Sequence, residues 1–221
     1  MRVVVAGGHG KIALLLERLL SDRGHPVVGL IRNPEHADDL RAAGAEPALC
    51  DLERASADEL ADQLAAADAD AVVFAAGAGP GSGVPRKDTV DRAAAALLAD
   101  AAERAGVRRY LLVSSMGVDA PPSADRDDVF AAYLRAKKAA EDDLRGRDLD
   151  WTALRPGRLT DDPPTGLVRL ARRVERGDVT RADVAAVLLA LLDTPATAGQ
   201  TLELVGGDTP IAQAVGRLGP A

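Results

Sequence analysis

Aromatic side chains are almost missing from this chain: its 221 residues include one Trp, two Tyr and two Phe. A core without them must be packed from aliphatic residues and alanine, as in α/β proteins with buried aliphatic strands. Cysteine occurs once, at Cys50, which excludes an internal disulfide. Lying in the apolar run 47–50, Cys50 reads as a buried core thiol rather than a nucleophile. The three histidines, His9, His25 and His36, are scattered, and no histidine or carboxylate grouping has metal-ligand spacing, so no metal is expected. Basic residues do not predominate either: 27 Lys and Arg against 34 Asp and Glu leave a net charge of −7. That balance argues against nonspecific binding to nucleic acid and against an anionic membrane surface. No apolar run approaches the roughly 20 residues of a membrane span. The chain opens directly on a strand-like run, so the expectation is no signal peptide and a cytoplasmic protein.

What is present is alternation. Short aliphatic runs read as strands over 3–6, 27–31, 48–50, 71–76, 110–114, 152–154 and 201–205. Between them the spacing of apolar residues predicts helices over 11–23, 34–43, 57–67, 89–105, 129–145 and 181–192. Asn33-Pro34 reads as an N-cap followed by proline at the first helical position, and Thr180 with Asp183 as an acidic variant of the capping box. Such alternation implies one α/β domain over 1–221, a doubly wound parallel sheet of about seven strands with helices on both faces. Ligands of such sheets bind at the carboxyl ends of the strands, where strand order reverses. Two loop-rich stretches, 77–87 and 117–128, follow strands and fall on that side. The irregular segment 155–179 also follows a strand and is expected to act as a small substrate wall or lid, at about 155–180.

The turn Gly7-Gly8-His9-Gly10 lies between the first strand and a helix marked by Ile12, Leu15, Leu16, Leu19 and Leu20. Glycine lets the backbone bend sharply and a ligand come close. The amides and positive dipole end of the new helix then face that ligand. Strand, glycine turn and helix together describe a cradle for a nucleotide pyrophosphate, with Ala13 standing where the three-glycine fingerprint has its last glycine. Arg32 ends the second strand, 22 residues past Gly10. An acid near this position holds the ribose 2′-hydroxyl of NAD; an arginine suits a 2′-phosphate and so favours NADP, or is simply a solvated arginine ahead of a helix. Asp51-Leu52 follows the third strand, where the acid could accept a hydrogen bond from an adenine amino group or cap a nearby helix.

Tyr133 and Lys137 are four residues apart and share a helix face. An ammonium beside a phenol favours the phenolate, and such a tyrosine can give a proton to a carbonyl as hydride arrives. The alternative is a tyrosine packed on the sheet beside a surface lysine. Ser114 and Ser115 end an apolar run, which brings their hydroxyls to the carboxyl edge, where one could hold a substrate carbonyl.

These pieces together resemble the short-chain dehydrogenase/reductase superfamily, in its atypical NAD(P)-binding branch related to the sugar-nucleotide epimerase-like and NmrA-like proteins. The resemblance runs from Val3 to about Asp208. It is carried by Val-Ala-Gly-Gly-His-Gly-Lys-Ile at 5–12, Ile31-Arg32-Asn33-Pro34, Cys50-Asp51-Leu52, Phe74-Ala75-Ala76-Gly77, Val113-Ser114-Ser115, Tyr133-Leu134-Arg135-Ala136-Lys137, Leu154-Arg155-Pro156-Gly157 and the stretch 180–185. It implies a Rossmann-like fold in which Gly7, Gly8, His9, Gly10, Lys11 and Ile12 bind pyrophosphate. Arg32 would meet the 2′-phosphate, Asp51 and Leu52 the adenine, and Ala75, Ala76 and Gly77 the adenosine ribose side. Lys137 would bind the nicotinamide ribose, Ser114 would lie near the cofactor, and the loop from Pro156 and Gly157 would close over nicotinamide. Tyr133, Lys137 and Ser115 would be the catalytic set.

The expected function is an NADPH-dependent reductase of a small carbonyl or related electrophile, with NADP(H) preferred and NAD(H) possible. A non-catalytic NAD(P)-binding redox sensor is the alternative, because some atypical relatives have lost catalysis. A sugar-nucleotide epimerase comes third, because little chain follows the last helix and strand to hold a nucleotide sugar. The expected partner is a small-molecule substrate, with no nucleic acid and no membrane, for a monomer or a homodimer.

Overall fold

The computed structural model describes residues 1–79, 81–120 and 128–219. Its first half runs β1 (Val3–Ala6), α1 (Lys11–Asp22), β2 (Val27–Ile31), α2 (Ala37–Ala42), β3 (Glu46–Leu49), α3 (Ala57–Ala66) and β4 (Ala71–Phe74). Then come α4 (Val84–Arg86), a π-helical stretch (Lys87–Ala93), α5 (Ala94–Ala105), β5 (Arg109–Val113), α6 (Asp128–Arg145) and β6 (Asp150–Pro156). The last part holds β7 (Arg158–Thr160), β8 (Leu167–Ala171), β9 (Asp178–Thr180), α7 (Arg181–Leu192), β10 (Gln200–Gly206), β11 (Thr209–Pro210) and α8 (Ile211–Gly216).

The central strands are buried on both faces, and their side chains alternate between two cores, as the period-two pleat requires. Val3 and Val5 of β1, Ala71 and Val73 of β4 and Leu111 of β5 pack on one face with Leu16 and Leu20 of α1 and with Val184 and Leu188 of α7. Val4, Val72, Phe74, Tyr110 and Leu112 pack on the other with Leu60 of α3, Leu98 of α5 and Leu144 of α6. Helix α7 is apolar almost all round, and it is buried almost throughout, with α8 also against it. Its N-cap is Thr180, whose hydroxyl oxygen accepts from the Asp183 amide at 2.9 Å. The Asp183 carboxylate also accepts from the amides of Thr165 and Gly166, at 3.1 and 2.8 Å, so the cap of α7 fastens the segment before it.

The sheet has nine strands, not seven, in the order β11-β8-β10-β6-β5-β4-β1-β2-β3. It is parallel from β10 to β3, but β8 runs antiparallel to β10 and β11 antiparallel to β8. The segment 155–179 is accordingly not irregular: β8 extends the sheet, and β7 and β9 form a separate parallel pair. In β8 Val168 and Leu170 are buried while Leu167 and Arg169 are exposed, so it is a short half-buried strand, one in from the β11 edge, without the aliphatic run of a central one. Helical structure also starts earlier than position 89, at Val84, where Pro85 in the first turn presets φ. Strand β4 stops at Phe74; the Ala75 amide still donates to the Ala6 carbonyl of β1 at 3.0 Å, and Ala76 and Gly77 leave the sheet beyond it. Of the two expected loops, position 80 and residues 121–127 lie outside the described residues. No helix among the described residues is long and apolar enough to cross a membrane.

Candidate active site

Strand order reverses between β1 and β4, which follow one another in the sheet with β2 on the far side of β1. A cleft of about 430 Å³ opens at the carboxyl ends of these strands, lined among others by Gly7, His9, Gly10, Arg32, Asp51 and Ala76. Gly7 has φ +81°, and a Cβ there would lie 2.6 Å from the Ala76 Cα. Gly10 is the N-cap of α1, and no side chain caps the helix and no acid stands in its first turn. The first-turn amides are therefore left for a ligand, and the bare backbone leaves room for a phosphate to approach. This cradle fits a dinucleotide pyrophosphate. Gly8 faces inward instead: it is buried, and its amide donates to the Leu30 carbonyl at 3.0 Å. Ile12 packs on the core. The Lys11 ammonium donates to Asp161 at 2.6 Å, and Arg181 holds the other oxygen of that carboxylate at 2.7 Å.

Beneath the turn lies Glu17 of α1, fully buried. A Cβ added at Gly8 would meet its Oε1 at 2.9 Å, and neither carboxyl oxygen has a hydrogen-bond partner among the described residues. Burial pushes this carboxyl up to about 8, so it is chiefly protonated at neutral pH.

At the outer end of the cleft Arg32 donates to Glu53 at 2.9 Å. Arg86 of α4 donates to the same carboxylate at 2.8 Å, and the Thr89 hydroxyl at 2.7 Å. Hydrogen bonds from Arg86 and Thr89 hold the Glu53 carboxyl below the usual carboxylate range. Two guanidinium groups thus share one acid. His9 stacks on His36 with ring centroids 3.6 Å apart, and its Nε2 lies 2.8 Å from Asp39. Asp51 accepts from the Glu53 amide at 3.1 Å, so it stabilises the turn after β3, while α3 has its own capping box from Ser56 and Glu59. Asp51, Leu52 and Cys50 all line the cleft, and Cys50 is buried.

On the far side of Ala76 lies Lys137, which is not a surface lysine but 3% exposed. Its ammonium donates to the Val113 carbonyl at 3.0 Å and to the Ala76 carbonyl at 3.4 Å. Asp91, from the π-helical stretch, faces it at 3.3 Å and also accepts from the Ala78 amide. Tyr133 sits one helical turn before it. The Lys137 and Lys87 ammoniums lie 5.9 and 5.7 Å from the Tyr133 ring centroid, on two different helices. An insertion that widens a helix by one residue is a common companion of functional sites; here it carries both Lys87 and Asp91.

Ser115 is half-buried, and among the described residues its hydroxyl donates to the neighbouring Met116 carbonyl, at 3.2 Å. Ser114 is buried, and its hydroxyl donates to Glu141 of α6 at 2.5 Å. Pro156 ends β6 and Gly157 follows it, and neither lines this cleft: the Pro156 carbonyl accepts from the Met116 amide, and the Gly157 amide donates to the Leu204 carbonyl. Sequence reading missed Arg86, Glu53, His36, Lys87 and Asp91. Lys87 and Asp91 repeat the four-residue interval of Tyr133 and Lys137, a signal that needed the neighbouring helix to be meaningful. Among the described residues no group of three or more His, Cys, Asp and Glu side chains is placed to hold a metal ion.

A glycine cradle at the switch point of a largely parallel sheet, with a tyrosine and lysine one helical turn apart beside it, defines a Rossmann-like protein of the atypical short-chain dehydrogenase/reductase superfamily. More narrowly, the chain belongs to the NAD(P)H-binding family, which matches residues 7–195. "Uncharacterized sugar epimerase YhfK" of Bacillus subtilis is 36% identical over 219 residues, 99% of this chain and 100% of that one. A Bacillus halodurans structure named as a candidate NAD-dependent epimerase/dehydratase superposes with a TM-score of 0.89 at 37% identity, covering 99% of this chain and 100% of that one. The structure of ChuY, an anaerobillin reductase from Escherichia coli O157:H7, gives a TM-score of 0.79 at 30% identity over 94% of this chain and 98% of that one. The fold is that of an NAD(P)-binding oxidoreductase.

Proposed function

We propose that the protein is an NADPH-dependent reductase of a small carbonyl compound or related electrophile. The observation that carries this reading is the buried Lys137, reaching from the Ala76 wall of the cleft to the side of Tyr133. A buried ammonium is costly unless paired, and Asp91 pairs it. The bound dinucleotide supplies the hydride. Ser115 holds the substrate oxygen, and the Tyr133 phenol gives that oxygen its proton. Lys87 and Lys137 balance the negative charge left on the phenol. Arg32 and Arg86 receive the 2′-phosphate, which gives NADP(H) preference over NAD(H), with His36 and Asn33 beside them on the cleft wall. The segment that carries β7, β8 and β9 forms the small substrate-side portion of a single domain.

The test is a titration with NADPH, NADH, NADP and NAD, read by quenching of Trp151 and by cofactor fluorescence, followed by a carbonyl screen. NADPH binds tightest. Tyr133→Phe loses about a hundredfold or more in kcat while its NADPH affinity stays near wild type. Unchanged turnover in that variant removes the proton-donor role. The Bacillus relatives' names favour a second reading, a sugar-nucleotide epimerase, in which cofactor is reduced and reoxidised within one turnover. Cofactor that copurifies with the protein, together with no net NADPH consumption, selects that reading.

A further inference from the structure

Past the end of β5 lies a second cavity, of about 240 Å³, whose lining includes Met116, Gly117, Asp119, Arg155, Arg173 and Arg176. It begins one residue beyond Ser115. Its outer wall is the turn between β8 and β9, and that turn is pinned against the end of β6. The Arg158 amide donates to the Gly177 carbonyl at 3.0 Å, and a Cβ on Gly157 would collide with that same carbonyl. Arg176 reaches across to Gly117, where a Cβ would lie 2.9 Å from its Nη2. The cavity thus adjoins both the proposed substrate-holding serine and the end of β6.

The charges in its wall are unequal in their engagement. Arg155 is held by Glu141 at 2.8 and 2.7 Å, by Asp119, and more distantly by Glu203 at 4.0 Å. Glu203 accepts in addition from the Val174 amide at 2.9 Å. Both acids of the wall are therefore already partnered. Arg173 and Arg176 are exposed and form no ion pair with any described residue. Glu175, between them in sequence, is not part of the lining. In a chain with a net charge of −7, two unpaired guanidinium groups facing one cavity next to the reaction centre mark a place for an anion. The guanidinium fork matches a carboxylate. A single negative charge is better tolerated here than a phosphate dianion, because Asp119 and Glu203 share the wall.

We propose that this cavity is the substrate compartment and that Arg173 and Arg176 make it a carboxylate subsite, so the substrate is a carbonyl compound carrying a carboxylate apart from the group being reduced. The proposal rests on the reductase reading of the Tyr133 site. Hydride from the nicotinamide cofactor adds to the carbonyl carbon, the Tyr133 proton adds to its oxygen, and the carboxylate stays unchanged.

Two paired measurements test it. In the first, para-(hydroxymethyl)benzoate and its methyl ester are titrated calorimetrically into the protein with and without saturating NADP. In the second, para-carboxybenzaldehyde and its methyl ester are compared as substrates with NADPH. The acids are favoured by about tenfold or more, and the preference shrinks as ionic strength rises. Arg173→Ala with Arg176→Ala abolishes it without changing NADP affinity, whereas Arg172→Ala leaves it intact. Equal behaviour of acid and ester, or a preference that survives the double substitution, overturns the subsite. Arginine-dependent carboxylate binding without reduction of either aldehyde leaves the subsite standing and removes the reductase reading. Equal reduction of both aldehydes does the reverse.

Discussion

In the cleft at the ends of β1, β2 and β4, the wall beside the start of α1 is mostly main chain: a glycine turn, uncapped amides and the Ala75-Ala76-Gly77 exit from β4. In the cavity beyond β5 and β6, the wall is built largely from charged side chains, with Arg155 held by the buried Glu141 behind it. The contrast extends to the buried acids behind each wall. Glu17 lies under the glycine turn with no hydrogen-bond partner among the described residues and is kept protonated by burial. Glu141 lies under the second cavity with Arg155, Arg145 and Ser114 all donating to it. A main-chain wall serves a ligand whose shape is common to many proteins. A side-chain wall can be retuned one residue at a time, which suits the part of a site that chooses its substrate.

The largest effect is expected from breaking the charged wall. Arg155→Met leaves Glu141 buried with reduced compensation and costs about 3–5 kcal/mol of stability, measurable by denaturant unfolding. Breaking the main-chain wall comes next. Gly7→Val adds a side chain against Ala76 at a positive φ and weakens NADPH binding by about a hundredfold or more, while carboxylate binding measured without cofactor persists. A third substitution separates the two acids. Because the Glu17 carboxyl moves from 4.5 to about 8 on folding, the folded protein takes up a proton across that window. Stability therefore falls as pH rises through it, by at most about 1.4 kcal/mol per pH unit, and levels off above. Glu17→Gln removes that slope; a pH profile of unfolding identical to wild type would refute the assignment. The smallest effect sharpens the cleft itself. Arg32→Ala weakens NADPH by about tenfold and leaves NADH unchanged, and equal losses for both would detach Arg32 from the 2′-phosphate.

Legibility followed the same divide. The glycine turn, the six helices and the pair Tyr133 and Lys137 could be read because each is defined within a few residues of chain. Arg32 was legible as a candidate, but its acid partner lies 21 residues on and Arg86 lies 33 beyond that partner. Only packing brings the three together. The burial of Lys137 is invisible in the sequence because nothing near it there announces Asp91. The strands of 158–180 were unreadable for another reason: two are three residues long, and β8 is half-exposed, so none carries the apolar run that marks a buried strand.

Both outer strands of the nine-stranded sheet contain a proline, Pro47 in β3 and Pro210 in β11. Each lacks an amide hydrogen where a further strand would have to pair, and β11 is only two residues long. The sheet is thus closed to extension at both margins. Two copies cannot readily join their sheets into one continuous ribbon through these margins.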